Sequence, residues 1–207
     1  AKAVYPVAPT LGNATAEGKI TAAGAKLGDM TDEASPSAAE IEIPENAVTA
    51  DTNAIFNMVL TESNPASVTY EISLKNVDTD ETVTLAKPAT VTTNIGAGLS
   101  NVKVTHSGVA MQEVTSTGAL TDGTYFYNPG DGKLMICTKS FSPFVISYEF
   151  NDVASVNGKG YTTVFSAIAA AKDGDTVVLT KDQSGLITVK GKNITIDLNG
   201  KTFNATK

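Results

Sequence analysis

The sequence has no tryptophan, no arginine, one histidine and one cysteine, and no apolar run near the roughly 18 residues that a membrane helix needs. Without arginine there is no planar guanidinium to hold a phosphate or a guanine at two points. The 15 basic residues, all lysine, face 22 acidic ones for a net charge of −7, so nucleic acid is not an expected partner. Cys137 cannot close a disulfide within the chain, and with His106 it is too small a set for a His/Cys metal centre. A Cys137–His106 couple is the one thiol chemistry left. Membrane insertion is not expected, and the opening AKAVYPVAPT has neither the basic nor the apolar region of a secretory signal. What is present is 207 residues, 42% of them hydrophobic, enough to bury a core in one large or two small domains.

Residues 1–38 are rich in Ala, Gly, Thr and Ser, with Pro6, Pro9 and Pro36, and read as an extended leader that adds one strand around Ile20. From Ala39 to Phe150 short alternating segments follow one another: AEIEI, AIFNMVLTES (54–63), SVTYEISLKN (67–76), ETVTLA (81–86), ATVTTNIG (89–96) and NVKVTHSG (101–108). Val68, Tyr70, Ile72 and Leu74 share one face of their segment, the period of a half-buried strand. GTYFYN (123–128) and KLMICTKS (133–140) flank Pro129-Gly130-Asp131-Gly132, a turn sequence, and FVISYEF (144–150) closes the series. The expected fold for 39–150 is an antiparallel β-sandwich.

After Phe150 the pattern changes. YTTVFSAIAAAKDGD (161–175) carries Val164, Phe165, Ile168 and Ala171 at helical spacing, with Thr162 or Thr163 to cap it and Lys172 with Gly174 to end it. DTVVLTKD (175–182), GLITVKG (185–191) and NITIDLNGKTFN (193–204) read as three short β segments. The charge balance shifts as well, from 8 lysines against 17 acids in residues 1–150 to 7 against 5 in 151–207. A second, small domain is expected over 151–207.

The stretch GKGYTTVFSAIAAAKDGDTVVLTKDQSGLITVKGKNITIDLNGKTF resembles the opening of a pectate-lyase-like, right-handed parallel β-helix of bacterial surface proteins. The match lies in a helix ending in AA-x-x-GDT, a TVxL strand and an ITIDLNGKT strand-turn. The resemblance implies a cap helix and first coil over 151–207, with Val177, Leu179, Ile187, Val189, Ile194, Ile196 and Leu198 stacked inside. Because a solenoid needs about three coils to bury a continuous core, the open end is expected to expose Ile194, Ile196, Leu198 and Phe203 or to pair them in a homodimer. SLKN, VTTNIGAGLSNVKVTHSG and SFSPFVISYEF are similar, more loosely, to the sandwich that precedes such modules in Gram-positive and gut bacteria. The implied place is extracellular, on the cell surface or wall. The implied function is a non-catalytic stalk, adhesin or carbohydrate contact that meets glycans or a host surface. The alternative is the non-catalytic N-terminal part of a polysaccharide-degrading β-helix enzyme.

Candidate sites are few. Tyr125 and Tyr127 share a face opposite Phe126; an exposed pair would form a platform for sugar rings, although packing in the core or on the sheet face is the favoured reading. Asp78, Asp80 and Glu81 in DTDET offer oxygens at a spacing calcium accepts, although the glycine and closing acid of a 12-residue calcium loop are missing, and a solvated turn is the favoured reading. No other cofactor is expected. His106 ends a strand with neither nucleophile nor carboxylate beside it in sequence, and Cys137 reads as a small buried hydrophobe. A Lys–Asn isopeptide bond would need Lys75 or Lys103 in an apolar core with Asn57, Asn94 or Asn101 and Glu71.

Overall fold

A computed structural model of the chain describes residues 11–64 and 66–205. It is mainly β, with one α-helix among those residues, and it divides into two units between Glu149 and Phe150.

The first unit contains β1 (Ala14–Ile20), β2 (Ala25–Leu27), β3 (Ala39–Ile43), β4 (Thr52–Asn64), β5 (Ser67–Asn76), β6 (Ala89–Asn94), β7 (Leu99–His106), β8 (Val109–Ala110), β9 (Gln112–Glu113), β10 (Thr124–Tyr127), β11 (Lys133–Thr138) and β12 (Pro143–Phe150). They form two six-stranded sheets, in the orders β1-β4-β5-β12-β7-β8 and β2-β3-β6-β11-β10-β9. Alternation decides which way each strand faces. Val68, Tyr70, Ile72 and Leu74 of β5 are buried, as are Ile41 and Ile43 of β3 and Leu134 and Ile136 of β11, and residues of both sheets belong to one apolar cluster. β10 and β11 pair antiparallel across the PGDG turn.

Two readings of the sequence change here. Ten residues of the leader lie outside the described part, but residues 14–27 form two strands, one in each sheet, where a single strand was expected. The signal was weak because β1 alternates small residues: a Cβ at Gly18 would stand 2.3 Å from Leu27 Cδ2, so glycine lets Leu27 lie over β1. ETVTLA makes a single bridge, Thr82 to Lys75, and no strand; Val83 and Leu85 are nevertheless buried in the cluster. Alternation thus marked burial correctly where ladder pairing was absent.

The second unit begins with the hairpin of β13 (Ala154–Val156) and β14 (Lys159–Tyr161), turned by Asn157 and Gly158 at φ of 51° and 79°, values that Asn and Gly tolerate best. Helix α1 (Val164–Ala170) follows, its N-cap Thr163 accepting the Ser166 N–H at 3.0 Å. Its other end is held from a distance in sequence. Lys192 Nζ donates to the carbonyls of Ile168, Ala169 and Ala171 at 2.8, 3.1 and 2.7 Å, placing a cation on the negative end of the helix.

β15 (Thr176–Leu179), β16 (Gln183–Gly185), β17 (Thr195–Asp197) and β18 (Phe203–Ala205) complete the unit. β15 pairs antiparallel with β13 and parallel with β17, while β16 pairs parallel with β18. Thr176 stands opposite Thr195 and Gln183 opposite Phe203, displacements of 19 and 20 residues. Polar side chains repeat that step: Asp173 Oδ1 accepts from Asn193 N at 2.8 Å, Asp182 Oδ1 from Thr202 N at 2.8 Å, and Asn199 Nδ2 donates to the Leu179 carbonyl at 3.2 Å. The expected strand at 185–191 is displaced to Gln183–Gly185. Val177 and Leu179 are buried, Ile187, Ile194, Ile196 and Phe203 pack partly against the core, and Val189 and Leu198 are exposed.

Candidate functional site

Tyr125 and Tyr127 do share a face, but it is the inner one. Both rings are buried; Tyr125 Oη donates to the Val102 carbonyl at 2.8 Å. Tyr127 Oη donates to the Gly96 carbonyl at 2.7 Å and accepts from Leu99 N–H at 3.0 Å. The sugar platform is therefore corrected: these tyrosines tie β10 to the segments before and within β7. A buried phenol usually finds a partner for its hydroxyl, and each of these two rings brings an apolar body to the core with its polar tip satisfied. Burial pushes both phenols above their ordinary value.

Asp78, Asp80 and Glu81 occupy the exposed turn after β5. Asn76 Oδ1 accepts from Asp78 N, Lys75 Nζ meets Asp80 Oδ1 at 2.9 Å, and Asn53 Nδ2 donates to Asp78 Oδ2 at 3.3 Å. One carboxylate oxygen each of Asp78 and Asp80 is engaged by a neighbouring side chain, and among the described residues no three acidic, His or Cys side chains gather as a metal-binding set. The isopeptide candidates are not gathered in the apolar core. Lys103 and Glu71 are exposed, Lys75 pairs with Asp80, and Asn101 Nδ2 donates to Glu149 Oε2 at 2.8 Å. Neither lysine lies in the apolar core that such a bond requires.

The outer face of the second sheet carries a groove of about 440 Å³, lined by Glu42, Pro44, Lys87, Pro88, Thr90, Thr117, Leu120, Met135 and Cys137. Register explains the grouping: Cys137 stands opposite Thr90, and Thr90 opposite Glu42, so three strands contribute one row. Cys137 is buried in the floor, and burial pushes its thiol up, against a hydrogen bond with Thr90. It is therefore a thiol at neutral pH, the less nucleophilic form. A smaller, threonine-rich hollow of about 210 Å³ lies beside the DTDET turn.

His106 has company that the linear sequence hid. Ser142, just before β12, places Oγ 2.5 Å from His106 Nε2 and 2.6 Å from Ser107 Oγ. The imidazole is stacked on Phe144, with centroids 4.3 Å apart and planes 3° from parallel. Burial lowers the ring's proton affinity and the field of Asp122 opposes that. The separation of 36 residues between His106 and Ser142 is what concealed the pair; the Cys137–His106 couple, by contrast, is replaced by separate contacts of the thiol with Thr90 and of the imidazole with Ser142.

No helix among the described residues is long and apolar enough to cross a membrane. No protein-family model and no curated protein matches the chain.

Proposed function

We propose that the chain is a non-catalytic contact module of a secreted bacterial surface protein, a stalk or adhesin whose first unit is a β-sandwich that meets glycans or a host surface. The groove on the outer sheet face carries this reading. Its volume lies within the range of small-ligand sites, and Met135, Leu120, Pro44 and Pro88 offer apolar surface beside the hydroxyls of Thr90 and Thr117. Glu42 and Lys87 add one charge of each sign, which suits a neutral, hydroxyl-rich ligand. A panel of plant, mucin and bacterial glycans, titrated with calcium and with chelator, tests it. Binding that is lost on Glu42→Gln, Lys87→Met or Thr90→Val supports the groove; a blank panel removes ligand contact and leaves a spacer.

A second reading is the non-catalytic N-terminal part of a polysaccharide-degrading β-helix enzyme, favoured by the parallel pairs displaced by 19 and 20 residues. In that reading the second unit is a cap helix with its first coil. A parent sequence with further coils and clustered Asp, Lys or Arg would select the enzyme. Repeated stalk modules or a wall-sorting tail would select the adhesin.

A further inference from the structure

The cluster at the turn between β7 and β8 has a consistent direction of hydrogen bonding. An unprotonated Nε2 accepts from Ser142 Oγ–H, which leaves the Ser142 oxygen free to accept from Ser107 Oγ–H. Ser107 is held for this by its backbone. It sits at φ +49° next to Gly108 at +78°, and its N–H donates to the Pro143 carbonyl at 3.0 Å. The imidazole is held by its flat stack on the fully buried Phe144. A hydroxyl within hydrogen-bond reach of a base whose orientation is fixed by a third group is the arrangement of an activated nucleophile. Burial keeps His106 in its neutral, proton-accepting form at pH 7. Ser107 is exposed, and Ser142 and His106 are half-buried, so the cluster opens to solvent.

We infer that Ser142 is a nucleophilic acyl acceptor, with His106 as its general base and Ser107 as a positioning residue, and that its partner is a neutral, activated acyl donor of the aryl-ester class. Ser142 Oγ bonds to the carbonyl carbon while its proton passes to His106 Nε2. The bond from that carbon to the aryl oxygen breaks, and His106 returns the proton to the leaving phenolate. Acyl-serine and phenol are the products, and no oxidant or reductant enters. Asp122 supports the imidazolium that forms and disfavours anionic donors. This site is independent of the glycan groove, which lies on the other sheet.

The full chain is treated with p-nitrophenyl acetate and, separately, with a fluorophosphonate probe, whose P–F bond is exchanged for P–O at serine with loss of fluoride. Nitrophenolate release is followed, and adducts are located by peptide mapping. The expected result is one nitrophenolate released per chain in an initial burst and one phosphonyl adduct on Ser142, both absent in Ser142→Ala. His106→Gln slows both by about tenfold or more, the low end of general-base contributions. Ser107→Gly, compatible with the positive φ, slows labelling several-fold without moving the Tm; a purely structural hydroxyl would move the Tm and leave the rate. With the unaltered chain the rate climbs with pH to a plateau, its midpoint below 6.5, the ordinary imidazole value. Adducts scattered over other residues, no adduct on Ser142, or labelling indifferent to His106→Gln overturn the inference. If His106→Gln fails to fold, the unaltered chain decides, and a pH profile flat between 5 and 8 overturns it.

Discussion

The two units solve the problem of burial differently. In the first, two six-stranded sheets share a cluster in which Phe56, Met58, Leu74, Leu134 and Phe144 are each fully removed from water. Large side chains do the work, and two of the tyrosine hydroxyls that enter the core, those of Tyr125 and Tyr127, are tied to carbonyls. In the second, eight buried residues, six of them alanine or valine, have partly buried Ile187, Ile194, Ile196 and Phe203 packed against them. There the polar contacts that recur from one turn of chain to the next, and the lysine under α1, take a larger share. A core that buries less apolar area gives less driving force, so specific hydrogen bonds should matter more in the second unit than in the first.

The largest effect that would sharpen this contrast is Phe56→Ala. Emptying a fully buried aromatic site costs about 3–5 kcal/mol; calorimetry should show the transition of the first unit shifted down or lost, with that of the second nearly unmoved. Lys192→Met keeps the aliphatic stem and removes three bonds to the end of α1. A loss of about 1–3 kcal/mol is expected from the second unit alone, since the donor is charged. Equal shifts in both units would break the distinction drawn above.

Within the first unit, Tyr127→Phe should cost about 1–2 kcal/mol, because the Gly96 carbonyl and Leu99 N–H both lose their partner, whereas Tyr70→Phe should be neutral or stabilising by up to about 1 kcal/mol. The Tyr70 hydroxyl is buried without a hydrogen-bond partner, and burial drives its phenol to about 12. Chemical denaturation of the two variants side by side measures the difference, and a larger loss from Tyr70→Phe would show that its hydroxyl is satisfied after all.

The smallest effect is a pH dependence in the second unit. Asp152 lies against Gly160, where an added Cβ would collide with its carboxyl, and burial raises its proton affinity above the ordinary carboxylate value. A raised carboxyl favours the folded state when protonated. Its contribution is complete below the ordinary value of 3.8 and is lost as pH rises through the raised one. Asp152→Asn should therefore stabilise the second unit at pH 7 and lose that advantage at pH 3, as read from paired melting curves.

Much of the β content was legible because alternation is a local property. Val68 to Leu74 pointed to one buried face, and the PGDG sequence lies between the paired strands β10 and β11. The helix was legible from the spacing of Val164, Phe165, Ile168 and Ala171 and from Thr162 or Thr163 as cap; Thr163 is the cap, and Phe165 faces solvent instead of the core. β1 was only partly legible, since Ala16 and Gly18 carry little hydrophobic signal, and Gly18 leaves the space that Leu27 fills. Of the candidate sites, the DTDET turn sits where its residues suggested, with one oxygen of Asp80 paired to Lys75 and one of Asp78 accepting from Asn53. The tyrosine pair illustrates the limit more sharply: period two places Tyr125 and Tyr127 on one face, and nothing within four residues says which face meets the core.

By itself, then, the sequence determined the strand-rich character, the turn positions, the capped helix and the absence of guanidinium chemistry, because all of these depend on residues adjacent in the chain or on composition. Tertiary structure decided which face of β10 turned inward, which lysine closed α1, and that Ser142 would stand 2.5 Å from His106. Those outcomes depend on sheet order and on contacts between segments 20 to 40 residues apart. No local pattern encodes such a distance, since it is set only when burial of the whole cluster selects one packing of the strands.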